Sequence, residues 1–146
     1  MKIAIGFDHG GFDYKETLID YLKKQNIEFI DCGTDSTDSC DYPIYAGKVA
    51  KLVQSGEAEK GILICGTGVG MSIAANKYKG IRCALANEYF TAKATREHND
   101  TNVLAMGSRV IGKNTMLEIV DVWLKTEFIG SYHTKRIQMI SDIENA

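Results

Sequence analysis

Ile62-Leu63-Ile64-Cys65-Gly66-Thr67-Gly68-Val69-Gly70 carries an apolar run straight into three closely spaced glycines. A short run of aliphatic residues bounded by glycine reads as a buried strand. The glycines read as a tight turn that opens a helix. Such a turn presents backbone N–H groups to an anion at the positive end of the helix dipole. A thiol placed there, Cys65, has its thiolate favoured. One short segment thus offers a base or nucleophile beside a site for negative charge. Glycines also serve simply to make turns, so the rest of the chain must decide between the two readings.

Outward from this segment, the same strand-then-helix unit repeats. Strands are predicted at residues 3–7, 27–31, 61–65, 81–86 and 103–106. Between them, residues 12–24 place Tyr14, Leu18, Tyr21 and Leu22 on a helical period. Pro43 fits the first turn of a helix running to about Ser55, with Gly56 as its stop. Residues 69–77 and 89–97 read as short helices, and 114–125 as an apolar one with Trp123 in the core. Ile137, Ile140 and Ile143 mark a terminal helix. This alternation predicts an α/β fold, a three-layer Rossmann-like (flavodoxin-like) sandwich with a five-stranded parallel sheet. No repeat, linker or low-complexity stretch interrupts residues 1–146, which are expected to form a single domain.

The chain has 146 residues and a formal net charge of -2, with a pI near 5.9. That balance gives no electrostatic case for nucleic acid or a membrane surface as partner. No apolar stretch is long enough to span a bilayer. The initial run Met1-Lys2-Ile3-Ala4-Ile5-Gly6 leads into Asp8 and reads as a strand, not as an export signal. Cys32, Cys40, Cys65 and Cys83 form no C-x-x-C pair. Free thiols in a reducing cytoplasm are therefore expected.

In an open parallel sheet, ligands bind at the carboxyl ends of the strands. Two ends combine reactive side chains with glycine: Asp8-His9-Gly10-Gly11 and the turn after Cys65. Other glycine-rich motifs fail here. A dinucleotide fingerprint starting at Gly66 needs glycine where Met71 stands, and a cysteine phosphatase loop needs arginine at the same place. Cys32 and Cys83 fit buried structural thiols. His9, His98 and His133 are not spaced to converge on an ion, so neither metal nor cofactor is expected. His98 lies in the polar segment 96–102 between a helix and the last strand, where histidine is either solvated or a proton carrier.

Taken together, Asp8-His9-Gly10-Gly11, Asp41-Tyr42-Pro43, the run from Gly61 to Lys77, and the run from His98 to Arg109 closely resemble type B ribose-5-phosphate isomerase. The wider family includes galactose-6-phosphate isomerase, and the resemblance covers essentially the whole chain. It implies a metal-free cytoplasmic enzyme, built as dimers or tetramers, that interconverts aldose and ketose phosphates. It implies Cys65 as the base that moves a proton through a cis-enediolate. Gly66, Thr67, Gly68, Val69 and Gly70 would stabilise the enediolate oxygen, an oxyanion-hole role. His98 with Asp8 would assist opening of the sugar ring. Asn99 would hold substrate hydroxyls, and Tyr42 would line the pocket. His9, Arg109 and Arg136 would grip the phosphate. One position departs from the family, which usually has Gly-Gly-Arg-His before its final helix. This chain has Gly130-Ser131-Tyr132-His133. Tyr132 in the substrate site can donate one hydrogen bond but carries no charge.

Element order also bears on assembly. Asp8 and Cys65 follow strands, whereas His98 and Arg136 follow helices and belong to the opposite edge of the sheet. A strand of five residues spans roughly 15–17 Å, too far for His98 to reach Cys65 within one subunit. A two-fold homodimer with active sites shared between subunits resolves this. The leading expectation is therefore interconversion of ribose 5-phosphate and ribulose 5-phosphate. The alternatives are an allose 6-phosphate or galactose 6-phosphate type of isomerase, and a non-catalytic sugar-phosphate-binding module. A thiol redox protein is a weaker third, since no second cysteine neighbours Cys65 in sequence.

Overall fold

In the computed structural model, which describes residues 1–146, five strands and six helices alternate. The strands are β1 (Lys2–Phe7), β2 (Glu28–Asp31), β3 (Lys60–Cys65), β4 (Cys83–Leu85) and β5 (Val103–Gly107). The helices are α1 (Lys15–Lys24), α2 (Tyr42–Ser55), α3 (Val69–Ala75), α4 (Tyr89–Asn99), α5 (Lys113–Lys125) and α6 (Tyr132–Glu144). All strand pairs are parallel, in the order β2-β1-β3-β5-β4. The expected three-layer α/β sandwich is thus present. Within it β5 lies inside β4, so the last two strands exchange places relative to the flavodoxin order.

Strand alternation divides the core into two layers. Ile3, Ile5, Phe7, Ile62, Ile64, Leu104 and Met106 pack on one face against Leu18 and Leu22 of α1, Ala92 of α4, and Met116, Ile119 and Trp123 of α5. Ala4, Leu63, Cys65, Val103 and Ala105 face the other way, against Ala46, Val49 and Ala50 of α2 and Met71 and Ala75 of α3. This second face is built from small residues. A Cβ on Gly6 would come within 2.8 Å of Leu63 and 2.9 Å of Val49. Close seating of α2 follows, and it brings the start of that helix to the carboxyl edge of the sheet.

The predicted elements are all found, with shifts at their ends. The stretch 12–24 opens as a 3-10 turn over Phe12–Tyr14 before α1 begins. Helix α2 matches in full, with Pro43 in its first turn and Gly56 as a left-handed cap. Helix α3 stops at Ala75 instead of 77, because the Asn76 amide turns to the open edge of β4. There it accepts from Cys83 N at 2.8 Å and donates to Cys83 O at 2.9 Å. The strand predicted at 81–86 shrinks to Cys83–Leu85. Ile81 N bonds Tyr78 O in a turn, and Arg82 N is taken by the Asn102 side chain. Helix α4 continues through Asn99, so His98 sits in its last turn and not in a connecting loop. No helix is long and apolar enough to cross a membrane.

Candidate active site at the carboxyl edge of the sheet

The ends of β1, β3 and β5 are knitted together by main chain. Ser108 N donates to Cys65 O and Arg109 N to Gly66 O, both at 2.9 Å. Ser108 Oγ donates to Gly10 O at 2.5 Å. Three glycines are required by close approach, not by turn geometry alone. A Cβ on Gly11 would collide with the Ile64 carbonyl, and one on Gly107 would lie 2.6 Å from the Thr67 carbonyl. Gly68 combines φ +81° with Met106 backbone at 2.8 Å from its Cβ position.

Cys65 is the last residue of β3 and is only 5% exposed. Its Sγ accepts a hydrogen bond from Gly68 N at 3.1 Å. Thr67 Oγ1 accepts from Val69 N at 3.2 Å, which satisfies one of the donors that the first turn of a helix leaves open. Helix α3 has only seven residues. Its macrodipole is correspondingly short, so the positive end of the turn resides mainly in its individual N–H groups.

The other residues expected at this edge stand against the glycines of the turn and the neighbouring strand end. Asp8 is 7% exposed, and its Oδ1 accepts from Gly11 N at 3.0 Å. Gly10 separates it from the turn: a Cβ there would meet Gly66 N at 3.2 Å and Asp8 Oδ1 at 3.3 Å. The Tyr42 ring covers Gly70, with ring atoms 2.7 Å from the Cβ position. Arg109 runs over Gly66, its Cδ 3.5 Å from the equivalent point. His9 Nδ1 accepts from Cys40 N at 3.2 Å. His9, Gly10, Asp13, Tyr14, Thr37, Ser108 and Arg109 line a cleft of about 360 Å³. One imidazole and one guanidinium there suit an anionic group.

The remaining expected residues lie elsewhere. His98 and Asn99 end α4, where Asn99 O accepts from Arg82 Nε at 2.9 Å. Nearby, Asn102 O accepts from Gly61 N at the start of β3. Cys65 ends that strand four residues further on, about 13 Å away along it. One chain therefore does not bring His98 and Cys65 together. Instead His98 stacks on His133, with ring centroids 4.5 Å apart and planes 16° from parallel. Tyr132 leans on His133 at 4.2 Å, and the Arg136 guanidinium lies 4.8 Å from the Tyr132 ring. Burial, then the neighbouring His98 and Arg136, push the His133 imidazole down from its ordinary value. A column of four planar groups thus occupies the amino edge.

The other thiols differ from Cys65. Burial pushes the Cys83 thiol up to about 12, and burial with Asp31 raises Cys32. Both fit the structural role expected of them. All four cysteines are free. No group of three or more His, Cys, Asp or Glu side chains is arranged to hold a metal ion. Sequence reasoning missed Asn87, whose Oδ1 accepts from Gly107 N at 2.9 Å and whose Nδ2 faces Thr67 O at 3.4 Å. Its only sequence signal was its place just past a predicted strand.

Comparison with known proteins identifies the family. Residues 3–140 match the family model described as Ribose/Galactose Isomerase. Ribose-5-phosphate isomerase B of Escherichia coli is 50% identical over 143 residues, covering 98% of this chain and 96% of that protein. The structure of Clostridium thermocellum ribose-5-phosphate isomerase B superposes with a TM-score of 0.98 at 52% identity, covering 99% of this chain and 98% of the other. The Mycoplasma genitalium ribose-5-phosphate isomerase B, solved with bound ribulose-5-phosphate, gives 0.94 at 39% identity, covering 99% and 96%. The resemblance carried by the motifs therefore extends over the whole fold, and the chain belongs to the ribose/galactose isomerase family.

Proposed function

We propose that this chain interconverts ribose 5-phosphate and ribulose 5-phosphate through a cis-enediolate, with Cys65 as the base. The observation that carries the proposal is the setting of the Cys65 sulfur. It is bonded by Gly68 N–H, in a turn whose Gly70 is covered by Tyr42 and whose Gly66 is covered by Arg109, with Asp8 beside Gly10 on the neighbouring strand end. In the aldose-to-ketose direction, Cys65 removes the proton from C2 and returns it to C1, while a proton passes from O2 to O1. Negative charge on the enediolate oxygen meets those N–H groups of the 66–70 turn that Cys65 Sγ and Thr67 Oγ1 do not take, together with the Thr67 hydroxyl. His98 and Asp8 assist ring opening by proton transfer. Asn99 holds sugar hydroxyls, and His9, Arg109 and Arg136 bind the phosphate.

This mechanism needs two chains. His98, Asn99, Tyr132 and Arg136 of one subunit complete the Cys65 edge of the other, about a two-fold axis. Exposed apolar residues on both halves support the pairing: Met139, Ile140 and Ile143 on α6, and Val69, Ile73 and Phe90 near the carboxyl edge. Four free thiols suit a cytoplasmic location. Tyr132 motivates a second substrate reading: with no arginine there to fix the phosphate, a different phosphate position suits a longer sugar of the allose 6-phosphate or galactose 6-phosphate type. Assay of the purified protein against ribose, allose and galactose phosphates tests both readings. Turnover of ribose 5-phosphate above the others upholds the first, preference for a six-carbon phosphate upholds the second, and binding without turnover overturns both.

A further inference from the structure

β4 is one of the two edge strands and carries none of the reacting groups, yet its end is tied at several points. Ala86 N donates to Ala105 O, prolonging the pairing with β5 by one residue. Glu88 then caps α4, accepting from Phe90 N at 2.8 Å and Thr91 N at 2.7 Å. Asn87 is held between these two anchors, and its carboxamide reaches inward. Gly107 N can only donate, so the group facing it at 2.9 Å is Oδ1. That leaves Nδ2 as the donor to Thr67 O, at 3.4 Å the longer and weaker of the pair.

The Thr67 carbonyl shares a peptide unit with Gly68 N–H. In a trans peptide the two point in opposite directions. Holding the carbonyl toward Asn87 therefore aims the N–H away from it, and that N–H is the one bonded to Cys65 Sγ at 3.1 Å. Gly68 permits the required φ of +81°. A donor on the carbonyl also polarises the peptide and strengthens the bond its N–H makes.

We propose that Asn87 is a positioning residue for Cys65, acting through the Thr67–Gly68 peptide: its carboxamide holds the Thr67 carbonyl and so directs Gly68 N–H onto the sulfur. The proposal extends the reading of Cys65 as base, but its test reads the thiol itself and stands apart from turnover. Cys65 alkylation by iodoacetamide is followed by peptide mass spectrometry in Asn87→Ala and Asn87→Asp, at roughly 0.5 M salt to screen the added charge. Asn87→Asp keeps an acceptor for Gly107 N–H, replaces the donor to Thr67 with an acceptor and adds the charge that the salt screens.

Both variants are expected to alkylate Cys65 about three- to tenfold more slowly at neutral pH, the scale of one hydrogen bond, with profiles displaced to higher pH. kcat is expected to fall by a similar factor with KM little changed. Wild-type alkylation in Asn87→Asp overturns the proposal, because the tie to Gly107 would then be the whole role of the side chain. Should Asn87→Ala not fold, Asn87→Asp decides alone. Slower alkylation with unaltered turnover upholds the relay and removes Cys65 from the role of base.

Discussion

At the carboxyl edge of the sheet the reactive groups are held by main chain; at the amino edge they are held by one another. Cys65, Gly66 and Gly10 are fixed by bonds from Ser108 and Arg109 on the neighbouring strand end. Glycines there leave no room for a Cβ. At the other edge His98, His133, Tyr132 and Arg136 form a stacked column, and His133 is the only buried residue of α6. In the proposed mechanism the rigid half has one particular demand to meet. Stabilising a transient oxyanion needs donors that do not reorganise. His98, Tyr132, His133 and Arg136 are seated mainly on one another, and in the proposed dimer the partner subunit supplies the rest of their setting.

The largest expected effect breaks the rigid half. Cys65→Ala is expected to lower kcat by roughly 10²–10⁴ while substrate still binds, as loss of a general base does. Steady-state kinetics with a thermal melt as control checks this, and near-normal turnover refutes the assignment. Bound sugar phosphate is also expected to protect Cys65 from alkylation in the wild type.

The next effect sharpens the looser half. Tyr132→Arg is expected to lower KM for ribose 5-phosphate about ten- to a hundred-fold, the scale of a charged hydrogen bond. An unchanged or higher KM means that Tyr132 acts by stacking on Arg136 and not by facing phosphate.

The smallest effect lies in the turn that launches α6. Ser131 has φ 56° and ψ -137°, and His133 N bonds Gly130 O at 3.1 Å. This is the geometry of a II′ turn, whose first central position favours glycine. Ser131→Gly is expected to stabilise the chain by about 1 kcal/mol, raising Tm by roughly 2–4 °C without altering kcat. A lower Tm would show that glycine's added chain entropy outweighs the relieved strain.

The same contrast explains what could be read from sequence. Asp8 and Cys65 announce themselves because each ends an apolar run and precedes glycine, so chemistry and fold signal coincide. The opposite placement of His98 follows from element order alone. Asn87 was not legible, since an amide has no reactivity to flag it and its value lies in two backbone groups from distant turns. Nor was the His98–His133 stack, which depends on Ile129 N bonding Glu97 O to bring the α6 entry beside α4. Helix α3 ended early because Asn76 leaves the helix to pair with Cys83 backbone, and β4 started late because Ile81 N and Arg82 N are taken by Tyr78 O and the Asn102 side chain, exchanges that local periodicity does not encode.

The sharing of one site between two chains is tested most directly by mixing Cys65→Ala and His98→Ala subunits, each nearly inactive as a homodimer. After co-refolding in equal amounts, half the dimers are mixed and each mixed dimer holds one intact site of two. Activity is expected to recover to about a quarter of wild type for random pairing. A mixture as inactive as its parents, with subunit exchange confirmed, would contradict the shared site and place both residues' action within a single chain.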